Sequence, residues 1–296
     1  MLPTKNLTRR DILKTAAVGA LTLPFLGSSS GCATTAPAAA APFAPDAEHG
    51  LRLGVAGYTF RDLNVENSLT ALRVLRIKNA CIFKNQLNLE TATPDETRAV
   101  AGKYHAAGLT LAASGVVALS NDEAKCRIAF ENARIAQVVT MVMKPDRDAL
   151  PLIEKLAKEY DQRCAIHNHG PEDKLYPSPA DAFSAVKSLD SRIGLCIDIG
   201  HAMRAKADPV AALRQYASRL YDMHMKDSLA VPGAEKDIPV EVGAGRLDIR
   251  GVLRALLDLN YRGVVQFEYE KVAVNPIIGL AESVGYVRGL LAGFAS

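Results

Sequence analysis

The chain has 296 residues, of which 49% are hydrophobic and 23% charged, with no Trp. That composition belongs to a folded protein and excludes a disordered, collagen-like or heptad-repeat chain; five scattered cysteines exclude a disulfide scaffold. Lys5, Arg9, Arg10 and Lys14 against Asp11 account for the whole formal charge of +3, so the remainder is neutral and lacks the Lys/Arg excess that holds phosphate backbones.

The first segment reads as an address rather than as fold. Thr8-Arg9-Arg10-Asp11-Ile12-Leu13-Lys14 precedes a mild apolar stretch, Thr15 to Leu26, and then small residues from Gly27 to Gly31. A charged region, a short apolar region and a small-residue zone are the parts of an export signal. The paired arginines resemble the twin-arginine type, with Ile12 where Phe is commonest. Cys32 follows Ser29-Ser30-Gly31 and offers a site for lipoprotein cleavage and a lipid anchor, although the usual upstream Leu is missing. Residues 1–32 are therefore expected to be a signal peptide and 33–50, rich in Ala and Pro, a tether. An exported, periplasmic or membrane-anchored protein follows. No uncharged apolar window reaches about 18 residues, so no transmembrane span is expected.

Residues 51–296 alternate short apolar runs with helical periods. Strands are expected at 51–58, 79–85, 109–117, 138–144, 163–169, 193–199, 219–226 and 263–270. Helices between them carry start signals: Thr93-Pro94-Asp95-Glu96 has the form of a capping box with Pro at the first helical position, and Ser178-Pro179 and Asp208-Pro209 repeat the cap–proline pair. Gly108 stands where a helix should stop. Eight strand–helix units over 246 residues predict an α/β fold closed into a (β/α)8 TIM barrel. An open doubly wound sheet would carry a Gly-rich loop after its first strand, which Leu53-Gly54-Val55-Ala56-Gly57-Tyr58 does not supply.

Strand parity locates the chemistry, since residues two apart share a face. In the fifth run, 165, 167 and 169 share one face. In the sixth, the apolar side is 193, 195, 197 and 199, leaving Asp198 opposed. Asp222, His224 and Lys226 oppose Tyr221, Met223 and Met225, and Gln266, Glu268 and Glu270 oppose Val265, Phe267 and Tyr269. Four consecutive strands thus bring ionisable residues to the inner face at their C-terminal ends, where barrel enzymes keep their sites. Cysteines 81, 126, 164 and 196 fall in apolar patterns and read as small core residues. One His and carboxylate set from separate strands, His167, Asp198, His224 and Glu268, suits one divalent ion of Zn, Mn, Co or Ni.

At these residues the chain resembles the xylose isomerase-like TIM barrels, the superfamily of sugar isomerases and epimerases that also holds inosose dehydratase and endonuclease IV. The resemblance rests on His167-Asn168-His169-Gly170-Pro171, Asp198-Ile199-Gly200-His201, His224-Met225-Lys226-Asp227, Gly243-Ala244-Gly245-Arg246-Leu247-Asp248 and Phe267-Glu268-Tyr269-Glu270. It implies that the four ligands named above hold one metal ion and that His169 and His201 meet substrate. Lys84 is similar to a Lys of one exported branch. Candidate catalytic residues are His169, Lys84 and Glu270; candidate substrate-binding residues are His201, Lys226 and Arg204. One departure matters: the epimerases carry Glu where this chain has His167, which puts two-carboxylate epimerisation in doubt.

The expected activity is a metal-dependent sugar isomerase or epimerase acting by proton abstraction next to a carbonyl. The alternative is an exported lyase or hydratase of 3-keto-glycosides acting by β-elimination. An endonuclease IV-like phosphodiesterase is disfavoured by the neutral charge, and a non-catalytic sugar-binding barrel by the complete ligand set. The expected partner is a small carbohydrate. The sugar, the metal and the oligomeric state are left open.

Overall fold

The computed structural model describes residues 49–271 and 275–295; the expected signal peptide, Cys32 and all but the end of the tether lie outside them. Eleven strands occur among the described residues: β1 (Arg52–Val55), β2 (Asn79–Ile82), β3 (Thr110–Ser114), β4 (Val117–Leu119), β5 (Thr140–Pro145), β6 (Arg163–His167), β7 (Ile193–Asp198), β8 (Leu220–Met225), β9 (Asp227–Ser228), β10 (Pro239–Val240) and β11 (Val264–Phe267). The wall is parallel throughout, and it closes because β1 pairs with both β2 and β11, Gly54 opposite Asn79 and Arg52 opposite Val264. β3 reaches β5 at Ala113–Thr140, and β4 continues β3 along the same neighbour. The fold is the expected eight-stranded (β/α)8 barrel. β9 and β10 form a small antiparallel ribbon apart from the wall.

The helices are α1 (Val65–Leu75), α2 (Pro94–Ala106), α3 (Glu123–Ile135), α4 (Leu150–Glu159), α5 (Pro179–Val186), α6 (Ile199–Arg204), α7 (Pro209–Gln215), α8 (Ile249–Asp258) and α9 (Pro276–Ala295). The expected start signals are formed. Thr93 and Glu96 make a complete capping box on α2, and Ser178 and Asp208 accept backbone N–H groups at the starts of α5 and α7. Gly108, at φ +74°, follows the end of α2. One expectation is revised: α9 is long and apolar enough by composition to cross a membrane, with mean hydropathy 1.3. It nevertheless carries Glu282 and Arg288 and buries Leu280, Ser283, Val284, Val287 and Leu291, as the last helix of a barrel does.

Two apolar layers result from strand parity. Outward residues such as Ile166, Leu195, Ile197, Met223, Met225, Val265 and Phe267 pack in the large core shared with the helices. Inside the barrel Cys81, Ala113, Val142, Ala165 and Cys196 make a second, small cluster. Their small side chains fill the narrow lumen and support the polar ring above them.

The motif Gly243-Ala244-Gly245-Arg246-Leu247-Asp248 serves the architecture here. Buried Asp227, after β8, takes the amides of Gly243 and Gly245 on Oδ2 at 2.9 and 3.0 Å and that of Leu247 on Oδ1 at 3.2 Å. A Cβ on Gly245 would sit on that carboxylate, so the loop can wrap the acid only with Gly there. Asp248 then caps α8 through the Gly251 amide.

Candidate functional site

A cavity of about 340 Å³ opens at the C-terminal end of the strands, lined by Tyr58, Phe83, Lys84, His167, His169, His201, His224, Glu268 and Glu270, among others. At its base the four residues singled out by parity converge. His167 Nε2 lies 3.0 Å from His224 Nδ1 and 3.8 Å from Asp198 Oδ2, and His224 Nδ1 lies 3.2 Å from Glu268 Oε2. One ligand atom from each of the four lies within 4.8 Å of the others. β6, β7, β8 and the end of β11 supply them, one per strand, because β7 pairs His167 with Cys196 on one side and Asp198 with His224 on the other.

Burial and mutual charge shift every member of the cluster. Asp198 spends Oδ1 on the His201 amide at 2.7 Å, while its Oδ2 is buried with no hydrogen-bond partner. Burial pushes the Asp198 carboxyl well up from the usual carboxylate range, against the pull of Lys226. Glu268 goes the other way: burial would raise it, but the charge and hydrogen bond of His224 hold it well below the usual range. His224 rises to about 9, its burial outweighed by Glu268 and then by Asp222 and Asp198. His167 is kept neutral by burial and by the neighbouring rings of His169 and His224. An unpartnered carboxylate oxygen facing two imidazoles and a second carboxylate is a donor set that fits one divalent ion.

Beneath this set, Asp222 stands 3.9 Å from His224 Nε2 and meets the Gln266 side-chain amide at 3.4 Å and the Cys196 thiol at 3.8 Å. Parity placed Asp222 and Gln266 on the inner face, yet gave them no task. A carboxylate behind a ligating imidazole holds its orientation and tautomer.

The two histidines above the cluster are set differently. His201, the third residue of α6, has Arg204 Nη2 2.9 Å from Nδ1 and Lys226 Nζ 3.4 Å from Nε2. A guanidinium and an ammonium can both only donate; the closer contact, from Arg204, favours Nδ1 as acceptor and leaves the proton on Nε2 facing the more distant Lys226. Burial, Lys226 and then Arg204 push His201 well below its ordinary range, which keeps its ring neutral. His169, partly exposed at 28%, turns Nδ1 toward Asp173 Oδ2 at 3.6 Å; its pKa is lowered by burial, opposed by Asp173.

The remaining candidates fall in two places. Lys84 stands on the rim with its ammonium 5.9 Å from the centre of the Phe83 ring, and Glu270 lines the cavity with its carboxylate 2.5 Å from Lys226 Nζ. Lys226 and Arg204 are not among the lining residues; they sit behind His201. Lys226 is tied also to Asp237 at 3.2 Å. Arg204 binds Glu172 and the Glu235 carbonyl. The opposite wall, missed by parity, is aromatic. Tyr58 meets Phe83 edge-on, with ring centres 5.3 Å apart. The chain bends closely here, since a Cβ on Gly57 or Gly115 would strike Phe83.

Residues 147–290 match the family model described as xylose isomerase-like TIM barrel. Among curated proteins the chain is similar to inosose dehydratase from Klebsiella pneumoniae subsp. pneumoniae, 26% identical over 152 residues, which are 45% of this chain and 50% of that protein. It is also similar to inosose dehydratase from Clostridium beijerinckii, 22% identical over 156 residues, 48% and 52% of the two chains. The chain thus spans about half the length of the curated relatives it matches. Solved structures of the same fold include 3-keto-D-glucoside 4-epimerase from E. coli, 16% identical over 81% of this chain and 99% of that one with a TM-score of 0.64. A xylose isomerase domain protein from Planctomyces limnophilus is 16% identical over 83% and 98%, with a TM-score of 0.65.

Proposed function

We infer, from the match of residues 147–290 to the xylose isomerase-like TIM barrel family model, that this chain is a divalent-metal-dependent enzyme that removes the proton next to a carbonyl of a carbohydrate. One observation carries the reading: a buried two-His, two-carboxylate set with an unpartnered oxygen opens directly beneath two further histidines of one cavity. His167, Asp198, His224 and Glu268 would hold the divalent ion, which when bound would supply positive charge to polarise a carbonyl oxygen and make the neighbouring C–H more acidic.

The chain's own residues divide the rest. Tyr58 and Phe83 offer the apolar wall on which a sugar ring's C–H face can lie. His169, neutral and at the cavity surface, takes the proton. His201, whose Nδ1 is occupied by Arg204, gives its Nε2 proton to an oxygen, and the positive charges of Arg204 and Lys226 keep it from acting as a base. Lys84 and Glu270 flank the opening and meet hydroxyl groups.

This asymmetry, one base and one fixed donor, suits elimination better than epimerisation. In elimination the base removes the proton α to the carbonyl, its electron pair forms the C=C bond, the β C–O bond breaks, and the departing oxygen collects a proton from His201. The dehydratase names of the curated relatives support the same direction. Isomerisation or epimerisation is the second reading, supported by the likeness to a 3-keto-glucoside epimerase and by Glu268 and Glu270 as carboxylate bases near the same ring.

Metal analysis of the purified protein together with a product screen on keto-sugars and 3-keto-glycosides tests the proposal. A metal-dependent enone product supports elimination, and a metal-dependent epimer or isomer supports the second reading. Turnover without metal, or none on any carbonyl sugar, overturns both. We propose in addition that the chain is exported through its twin-arginine segment and does not bind nucleic acid. Arg9-Arg10→Lys-Lys should abolish export, because the pair is read by a receptor rather than as charge.

A further inference from the structure

The loop after β6 holds a carboxylate that strand parity could not reach. Gly170, at φ +92°, turns the chain so that the Asp173 amide meets the Gly170 carbonyl at 3.0 Å and the His169 amide meets the Tyr176 carbonyl at 3.0 Å. Asp173 Oδ1 then accepts the amides of Leu175 and Tyr176 at 2.7 and 2.9 Å. With Oδ1 spent on the backbone, Oδ2 faces two side chains: the Lys144 ammonium, in direct contact, and His169 Nδ1 at 3.6 Å. The Asp173 side chain is only 2% exposed, and His169 Nδ1 is itself buried with no hydrogen-bond partner.

We propose that Asp173 is a positioning residue for His169, fixing its proton on Nδ1 so that the Nε2 lone pair faces the cavity, while Lys144 keeps Asp173 an anion. The proposal rests on the reading of His169 as the base. Neutral imidazole carries one N–H. Placed on Nδ1, it points at Asp173 Oδ2; placed on Nε2, it would set two lone pairs against each other in a dry pocket, at the cost of an unsatisfied buried group. The separation of 3.6 Å is the loose geometry common in ligand-free sites, which tightens when substrate is bound. His169 and His201 thus face one cavity in opposite tautomers. An acidic group turns the first toward accepting, and the close Arg204 contact at Nδ1 turns the second toward donating.

The test is Asp173→Asn in the full chain. Asn retains the Oδ1 acceptor for Leu175 and Tyr176 but presents N–H groups where Oδ2 was, which favours the opposite imidazole tautomer. Nitrogen-15 histidine NMR, with His169 assigned from the His169→Gln spectrum, reads the tautomer in metal-free and zinc-loaded protein. Expected are Nδ1–H in the wild type and Nε2–H in Asp173→Asn, with kcat lower by about 10²-fold, KM little changed, and metal content unchanged. Asp173→Glu, which returns a carboxylate, should recover part of the loss. Nε2–H in the wild type, or Nδ1–H persisting in Asp173→Asn, overturns the proposal, and the wild-type spectrum alone decides if the variant fails to fold. Full turnover in His169→Ala would instead sink the reading of His169 as base, leaving the tautomer result to stand or fall by itself.

Discussion

His167 Nε2 and His224 Nδ1 stand 3.0 Å apart although their strands are separated in the wall by β7. With His224 raised to about 9 and His167 neutral, the two rings can meet so by sharing the His224 proton or by turning lone pairs to a common cation. The surroundings decide between these: Asp198 Oδ2 lies 3.8 Å from His167 Nε2 and 4.0 Å from His224 Nδ1 with no proton donor of its own. A shared cation satisfies all of them at once. The pair therefore lies at the centre of a four-residue cluster that a divalent ion would fit, and the His224–Glu268 ion pair balances charge within it.

Metal content gives the first prediction. The purified protein should hold one divalent ion per chain, and His224→Ala with Glu268→Gln should lose it. Chelation should lower the thermal midpoint. An ion at a hundred times its Kd stabilises by about 2.7 kcal/mol, which for a barrel of this size is a shift of about 5–10 °C. Stoichiometric metal retained by the double variant would refute the assignment.

The barrel and the convergence of His167, Asp198, His224 and Glu268 were legible in the sequence because both follow from a period of two. Parity assigns Asp198, His224 and Glu268 inward without knowing where the helices go, and the cap–proline pairs at Ser178 and Asp208 mark helix starts locally. What parity cannot see is the loop geometry beyond a strand end. Asp173 reaches His169 only because Gly170 turns backward, and Tyr58 and Phe83 form one wall only because Gly57 and Gly115 let the chain approach. Arg204 and Lys226 were legible as site residues. Their place behind His201, rather than at the cavity surface, needed the short helix α6, whose i, i+3 spacing carries Arg204 onto the ring of His201.

Thiol reactivity supplies a second prediction. Burial pushes the thiols of Cys81, Cys164 and Cys196 far up from their ordinary value, and Cys126, also buried, is raised the same way. Since the thiolate is the reactive form, a disulfide reagent at pH 8 should find none of these four in the native protein and all of them in guanidinium. Rapid labelling of Cys81 or Cys196 in native Cys32→Ser protein would contradict the packing of the barrel lumen, and of Cys126 or Cys164 that of the core shared with the helices.

Acid stability yields a third. Burial alone would push the Asp173 carboxyl up, but Lys144 and the amides of Tyr176 and Leu175 hold it below its ordinary value of 3.8. A carboxylate lowered by folding contributes stability that is full above its unfolded pKa and is lost as pH falls through the folded one. Asp173→Asn should thus melt below the wild type at pH 6, and the two midpoints should converge as pH falls through the lowered folded pKa of Asp173, where both side chains become neutral. A gap that persists unchanged into acid would show that the charge of Asp173 contributes nothing.

The last prediction separates the donor from the base by leaving group. If His201 protonates the departing oxygen, its worth depends on how poor that leaving group is, whereas the worth of His169 does not. On a 3-keto-glycoside with an alkyl leaving group, whose oxygen cannot leave as an anion, His201→Ala should lower kcat by about 10²-fold or more. With a nitrophenolate, stable without a proton, the same variant should lose only a few-fold. Arg204→Met should copy this selectivity in weaker form. It removes the N–H that pins His201 Nδ1 as acceptor, so part of the population carries its proton on the wrong nitrogen. Metal content should be unchanged in both variants, because neither residue belongs to the four-residue set. His169→Ala, by contrast, should lose turnover equally on both substrates, since proton removal next to the carbonyl precedes or accompanies either departure. Equal losses for His201→Ala on the two leaving groups would remove its role as acid and leave it a hydroxyl-orienting residue, with Lys84 or Glu270 as the next proton source to test.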